Sequence, residues 1–132
     1  MPLRFLLDTH IAVRWLSDPK KLTREQKRVL EDAALRGSPL GVSAITLLEI
    51  AALFAGGRLQ GSMMALFDKL GNNPMVVLLP ITVDIATELA TMGGSLSDPA
   101  DRAIVATARV HRLRLLTSDQ RIIESRLVAV VS

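Results

Sequence analysis

The sequence predicts a single α/β domain, spanning residues 1–132, in which helices cover a mostly parallel sheet. Short apolar runs alternate with segments of helical periodicity in the order β-α-α-β-α-α-β-α-α-β-α-β. This alternation is typical of parallel strands joined by right-handed crossovers. With 49% hydrophobic residues, a chain of this length can also bury a sizeable core.

The composition limits the classes of protein and of site. The absence of cysteine excludes disulfides and thiolate metal sites, and it fits the reducing cytoplasm, where we expect the protein to reside. Asp8 and Arg14 interrupt the N-terminal apolar stretch, so no signal peptide is predicted. Because no uncharged apolar run is long enough to span a bilayer, we expect no membrane association.

The first predicted strand is the apolar run at residues 3–7, which stops at Asp8. A helix follows over Ile11–Leu16 and ends before Pro19. The Thr-Arg-Glu-Gln pattern at residues 23–26 is a capping box that opens the second helix. Asp8 alone has two interpretations, because an acid after a strand can cap the next helix or belong to a site at the sheet edge.

A second strand at Leu40–Ser43 leads directly into a helix over Ala44–Ala55. Ser43 is a suitable N-cap, and Gly56 ends the helix. This helix is apolar almost all round, which predicts deep burial. Its only charge is Glu49, and a buried carboxylate is costly unless it pairs with an arginine or binds a metal.

The centre of the chain contains a Met-rich helix over Gly61–Leu70, a strand at residues 76–80 and a helix over Val83–Met92. The apolar side of the Met-rich helix is best interpreted as core. The alternative is a groove for a partner's helix, a use to which methionine is well suited.

The last third begins with Asp98 and Pro99 at a helix start, which places Asp101 in the first helical turn. Two acids there also suit the helix dipole, so a purely structural role is an alternative. The strand at Leu113–Thr117 then leads to Asp119, as the first strand leads to Asp8. A short helix and a final strand at residues 127–131 complete the predicted sheet.

Four acids are predicted to meet at one edge, because all strands of a parallel sheet end on the same side. These are Asp8, Glu49, Asp101 and Asp119. Carboxylates this close need a cation or protons between them, and oxygen ligands without His or Cys favour Mg²⁺ or Mn²⁺. One or two such ions can activate water against a phosphodiester.

Neighbouring polar residues offer support to such a site. Thr9, Thr117 and Ser118 could hold water or phosphate beside the metal, or could make only local turn and cap hydrogen bonds. A single histidine just after a strand is more often structural, so His10 is left out of the catalytic set.

The charge distribution favours a phosphate-rich substrate. The net charge is +3, so removing the four acids leaves +7 on the rest of the chain. An acidic site in a basic surface suits an enzyme that holds metal ions and approaches a nucleic-acid backbone. With four aromatic residues, one Trp and three Phe, the chain has no base-stacking platform of the RRM or OB kind.

Five ordered motifs extend over essentially the whole chain: Leu6–His10, Leu48–Ile50 (after Val42-Ser43), Asp98–Arg102, Ile104–Ala108 and Leu115–Asp119. In their order and spacing the chain resembles the PIN-domain ribonucleases, and more closely the VapC toxins of bacterial toxin–antitoxin pairs. The resemblance implies a three-layer α/β/α domain and metal-dependent endonucleolytic cleavage of RNA.

By this resemblance, Asp8, Glu49, Asp101 and Asp119 are the acidic quartet that binds Mg²⁺ or Mn²⁺. Asp98 is an auxiliary ligand candidate, from the Asp-Pro-x-Asp-Arg variant of the motif. In the same motif, Arg102 is expected to contact phosphate or to orient an acid.

The resemblance also implies a homodimer and a cognate VapB-type antitoxin whose tail obstructs the acidic site. Candidate contact residues for that partner are Trp15, Leu16, Met63 and Phe67. Relatives often carry Trp in place of Leu48, and His or Arg in place of Leu96 and Ser97. These departures leave the choice of RNA open.

Two other functions compete with this hypothesis. A phosphatase with Asp8 as nucleophile usually carries a second Asp two residues later, where this chain has His10. A non-catalytic module that binds RNA or a partner is the other alternative, and the retained quartet argues against it.

Overall fold

Five strands and seven α-helices alternate along residues 2–132, the part of the chain that the computed structural model describes. The strands are β1 (Phe5–Leu7), β2 (Leu40–Ser43), β3 (Val76–Leu79), β4 (Arg114–Leu116) and β5 (Val130–Val131). The helices are α1 (Thr9–Ser17), α2 (Arg24–Arg36), α3 (Ala44–Ala55), α4 (Met63–Asn72), α5 (Val83–Thr91), α6 (Pro99–His111) and α7 (Gln120–Ser125), with a 3-10 turn at Pro19–Lys21. No helix in this part of the chain combines the length and apolar character needed to cross a membrane.

The strands form one sheet in the order β3-β2-β1-β4-β5. Every strand pair described is parallel, so the predicted sheet is confirmed. From the central β1, the chain adds β2 and β3 on one side and then β4 and β5 on the other. The direction in which successive strands are added to the sheet therefore reverses between β1 and β4. The crevice beyond the strand ends at such a reversal is where α/β sheets bind ligands.

Adjacent residues of β1 point to opposite sides of the sheet and enter two separate cores. Leu7 packs with apolar residues of α1, α2, α3 and α4, whereas Leu6 packs with residues of α5, α6 and α7. Both side chains are fully buried. The sheet is thus the middle of three layers, and burial on both faces explains why its central strands are continuous apolar runs.

Helix α3 is less buried than its composition predicts. Only Thr46 and Ile50 are buried within it, and Leu48 is 66% exposed. The reason is its position: Ile45 packs against the core on one side of the sheet and Ile50 in the core on the other. Because α3 crosses the edge of the sheet between the two layers, one of its sides faces solvent and Glu49 is only partly buried.

Local signals place most element boundaries. The predicted capping box is present, since Gln26 N–H donates to Thr23 Oγ1 and Thr23 N–H donates to Gln26 Oε1. The last strand is shorter than predicted, because Arg126 adopts φ 56° and turns the chain. Leu127 and Val128 then pack against the core, and only Val130–Val131 pairs in the sheet.

Candidate metal and active site

Five carboxylates lie around the carboxyl-end edge of the sheet near the reversal of strand order. Asp8 directly follows β1, and Asp119 lies three residues beyond β4. Asp98 is the N-cap of α6, Asp101 lies in its first turn, and Glu49 lies in the second turn of α3. Four separate parts of the chain therefore deliver acids to one place: the end of β1, helix α3, the start of α6 and the start of α7.

Glu49, Asp98 and Asp101 form the tightest group: one carboxylate oxygen of each lies within 4.8 Å of the others. The Asp98 side chain makes no capping hydrogen bond to α6, which leaves its oxygens for this group. The sequence ranked Asp98 as auxiliary, but the structure places it beside Glu49 and Asp101. Within residues 2–132, Asp8 and Asp119 stand outside this three-acid group.

Asp8 is both a helix cap and a neighbour of the acidic group. Its Oδ1 accepts from the Thr9 N–H at 2.8 Å, and its Oδ2 accepts from Thr117 Oγ1 at 2.6 Å. The residue is 3% exposed. The two interpretations of this residue are therefore compatible, and Thr117 fixes the carboxylate orientation.

Thr9 holds Glu49 in place across the gap between α1 and α3. The Thr9 hydroxyl donates to Glu49 Oε1 and lies 3.0 Å from Thr46 Oγ1. A hydroxyl has a single proton to donate, so Thr46 must be the donor to Thr9. Thr46 is fully buried. Sequence reasoning missed it, although a threonine three residues before a lone helical acid was the available signal.

His10 ties the β4–α7 loop to Asp8. The Ser118 N–H donates to His10 Nε2 at 3.0 Å, and His10 Nδ1 lies 3.3 Å from Asp8 Oδ2. Burial lowers the pKa of His10, and the opposing charge of Asp8 does not cancel that effect. The neutral imidazole therefore accepts at Nε2 and carries its proton at Nδ1, which is the structural role predicted for it.

Gln26 extends this network into α2, and sequence reasoning missed it. Its Nε2 donates to Ser118 Oγ at 2.9 Å, and the side chain is fully buried. Thr117 Oγ1 in turn accepts from the Asp119 N–H at 3.1 Å. Thr117 and Ser118 thus position the loop that carries Asp119. The capping-box pattern was the only sequence signal for Gln26.

Asp119 is paired with an arginine that the sequence analysis did not single out. It caps α7 by accepting from the Arg121 N–H at 2.9 Å, and the Arg121 guanidinium lies 3.1 Å from its Oδ2. The same guanidinium lies 3.8 Å from Asp101 Oδ2. Partial burial favours a raised pKa for Asp119, but the hydrogen bonds and charge of Arg121 outweigh it and lower the pKa.

Arg102 holds the end of α5 and the loop that follows it. Its guanidinium donates to the carbonyls of Leu89, Gly93 and Leu96, and within residues 2–132 none of its hydrogen bonds reaches an acid. The contact with phosphate expected for it stays a prediction. Arg102 fastens the loop that delivers Asp98, because its planar donors match several carbonyls at once.

The predicted partner-binding residues lie on the side of the sheet covered by α1 and α4. Trp15, Leu16 and Phe67 are half-buried and pack against the core, and Met63 is also half-buried. Trp15 lines an apolar pocket of about 200 Å³ between α1 and α2.

The acids raise one another's proton affinity. Burial, and then the charges of Asp98, Asp8 and Asp119, raise the pKa of Asp101 to about 7. Burial also raises the pKa of Glu49, against the hydrogen bond from Thr9 that lowers it. At neutral pH the group therefore holds a proton or requires a cation.

The donors fit a divalent cation. Asp101 Oδ2 is buried and has no hydrogen-bond partner within residues 2–132, which is costly for a carboxylate unless something else binds it. Its neighbours Glu49 and Asp98 also offer carboxylate oxygens. Such a donor set suits a hard ion with oxygen preference. The acidic cluster can therefore hold a metal ion.

The pKa of Asp101 predicts how the metal-free protein responds to pH. Its folded value of about 7 exceeds the usual 3.8, so the stabilising effect of the bound proton is complete at low pH and lost as pH rises through 7. In EDTA we expect wild type to melt a few °C below Asp101→Asn at about pH 8, and the gap to close towards about pH 5. Thermal unfolding of both proteins across this pH range measures the gap in melting temperature. Parallel curves for the two proteins contradict the expectation, and Asp68→Asn on exposed α4 is the control.

The chain is similar to a known family and to a curated relative. The PIN domain family model matches residues 5–126. Over 119 residues the chain is 34% identical to ribonuclease VapC22 of Mycobacterium tuberculosis (strain ATCC 25618 / H37Rv), an alignment covering 89% of this chain and 88% of that protein.

Solved structures show the same architecture. DNA-bound VapBC from Salmonella typhimurium aligns with a TM-score of 0.71 at 20% identity, covering 97% of this chain and 96% of that one. This likeness shows the fold. A toxin–antitoxin complex from Klebsiella pneumoniae aligns with a TM-score of 0.58 at 26% identity, covering 96% and 95%.

Proposed function

The chain belongs to the PIN-domain family, and we propose that it is a metal-dependent endoribonuclease, a hydrolase acting as the toxin of a toxin–antitoxin pair. One observation carries this proposal. Glu49, Asp98 and Asp101 bring three carboxylates together, and a buried oxygen of Asp101 accepts no hydrogen bond within residues 2–132. The similarity to ribonuclease VapC22 supports RNA as the substrate.

In the proposed reaction, Glu49, Asp98 and Asp101 hold Mg²⁺ or Mn²⁺. A bound ion would supply water of lowered pKa as the nucleophile for hydrolysis of a P–O bond and would offset the charge of the phosphate. Asp8 keeps a fixed orientation because the Thr9 N–H donates to its Oδ1 and the Thr117 hydroxyl donates to its Oδ2. The chain thus supplies a rigid set of charges before substrate arrives.

A groove of about 380 Å³ beside Glu49 offers a path for the RNA backbone. It runs along the exposed side of α3, where Glu49, Leu53 and Arg58 contribute to its walls. We infer that a phosphate near the scissile bond contacts Arg58, because this groove joins an acid of the cluster to a permanent positive charge.

RNA cleavage by the purified chain tests the function directly. We expect cleavage of RNA with Mg²⁺ or Mn²⁺, no cleavage in EDTA, and suppression by the cognate antitoxin. Cleavage that persists in EDTA indicates a contaminating nuclease. A protein that binds transfer, ribosomal and messenger RNA without cutting any of them in Mn²⁺ contradicts the proposal and favours a binding module.

A VapB-type antitoxin is the proposed partner, since the similar Klebsiella pneumoniae structure is a toxin–antitoxin complex. The apolar pocket at Trp15 suits an apolar side chain from the antitoxin tail. Leu16 on α1, and Met63 and Phe67 on α4, remain candidate contacts. From this side of the sheet, the tail would reach the acids by following α1 towards its N-terminus, which begins beside Asp8.

We propose a homodimer formed through β3 and the start of α5. Val77 (38%), Leu78 (44%), Ile81 (46%) and Val83 (80%) expose large apolar side chains there. β3 is also an edge strand, and an uncovered apolar edge favours pairing with another chain. The same surface on a second copy of the chain would cover both the exposed apolar side chains and the open edge of β3.

The variant Val83→Asp tests dimerisation without disturbing the fold. Val83 is the first residue of α5, where an acid favours the helix dipole, so we expect an intact fold and a monomer. Leu35→Asp is the matched control, because Leu35 is 88% exposed on α2, away from this surface, and the variant should remain dimeric. Analytical ultracentrifugation at micromolar concentration measures both. Monomeric wild type contradicts the homodimer.

A further inference from the structure

Arg121 lies between two acids of the site, and the mechanism above gives it no role. Its guanidinium is 3.1 Å from Asp119 Oδ2 and 3.8 Å from Asp101 Oδ2. The side chain is 72% exposed, so the core does not force it into this position. Its location follows from the attraction of the acids and from the geometry of the first turn of α7.

Arg121 is the main compensating charge of the acidic edge. Among residues 2–132, the ion pairs made by its five acids involve only Arg121 and His10. His10 Nε2 accepts the Ser118 N–H and therefore carries no proton, so the ring is neutral. One permanent positive charge therefore faces the acids before any metal binds.

The pairing divides the site into two parts. Both oxygens of Asp119 are engaged: Oδ1 accepts from the backbone N–H and Nε of Arg121, and Oδ2 accepts from Nη2. Glu49 and Asp98 make no ion pair within the described chain, and with Asp101 they form the compact group. In the compact group the only ion pair among residues 2–132 is the 3.8 Å approach of Arg121 to Asp101, whereas Asp119 is already neutralised by its hydrogen bonds to Arg121.

We propose that Arg121 takes the place of a second divalent cation, so that the site binds one metal ion at Glu49, Asp98 and Asp101. This inference rests on the proposed metal-dependent function. A forked guanidinium matches a carboxylate and still presents N–H groups to a phosphate oxygen. The exposed edge of Arg121 can therefore contact the scissile phosphate opposite the ion.

Calorimetric titration of Mn²⁺ into the metal-free full chain tests the stoichiometry. We expect one ion per chain for wild type and two for Arg121→Gln, with the first ion bound up to about tenfold more tightly. The double variant Asp119→Asn/Arg121→Gln should return to one ion, because the second then lacks its carboxylate. Arg28→Gln is the matched control: it removes the same charge from an exposed pair with Glu25 on α2 and should behave as wild type.

The possible failures are distinguishable. Two ions in wild type, or one ion in Arg121→Gln, overturns the role of Arg121 and leaves metal-dependent cleavage intact. Absence of Mn²⁺ binding in every variant contradicts the proposed metal site itself, and this inference with it. Arg121→Lys keeps the charge and should bind one ion, which provides a second variant, and thermal unfolding verifies that each protein is folded.

Discussion

Asp101→Asn should abolish metal-dependent RNA cleavage, with a loss of about 10³-fold or more. The substitution removes one of the three clustered carboxylates and its negative charge. No hydrogen bond at Asp101 Oδ2 is lost within residues 2–132, and the only ion pair weakened is the 3.8 Å approach of the exposed Arg121 guanidinium. Initial rates of cleavage in Mn²⁺, wild type beside variant, measure the effect.

Asp8→Asn should lose activity to a similar extent, but two causes contribute: the loss of a negative charge and a loss of stability. Its carboxylate accepts from the Thr9 N–H and from Thr117 Oγ1, and an amide cannot accept at both positions. A loss of stability therefore accompanies the loss of charge. Asp68→Asn, on the exposed side of α4, controls for charge alone and should cleave as wild type. Full cleavage by Asp101→Asn in clean protein refutes the proposed site.

Arg102→Met should destabilise the fold by about 2–4 kcal/mol. The substitution removes hydrogen bonds to three carbonyls, at Leu89 in α5 and at Gly93 and Leu96 in the connection to α6. Methionine keeps most of the packing of the half-buried side chain but cannot donate. Urea unfolding measures the change. We also expect weaker Mn²⁺ binding, since the loop that Arg102 holds leads to Asp98.

Arg36→Met is the control for this second prediction. Arg36 pairs with Asp32 on the exposed side of α2, and surface pairs of this kind contribute little, so the change should stay within about 0.5 kcal/mol. If Arg102→Met proves equally mild, its carbonyl contacts do not stabilise the loop, and the phosphate-contacting role expected from the sequence has to be reconsidered.

The sequence by itself determined the architecture and the chemical class of the site. Strand and helix periodicity, the capping box at Thr23 and the alternation of elements are local properties, so they predicted the parallel sheet confirmed here. The placement of Asp8 and Asp119 after strands is equally local. Because parallel strands end on one side, the prediction of an acidic edge needed no knowledge of strand order.

Only the tertiary structure decided which acids meet and what neutralises them. The grouping of Asp98 with Glu49 and Asp101, and the approach of Arg121 to Asp101, depend on how α3, α6 and α7 are rotated against one another. The inward turn of Arg102 and the exposure of Leu48 have the same origin. Helix rotation is set by packing between residues far apart in sequence, which periodicity along one segment does not encode.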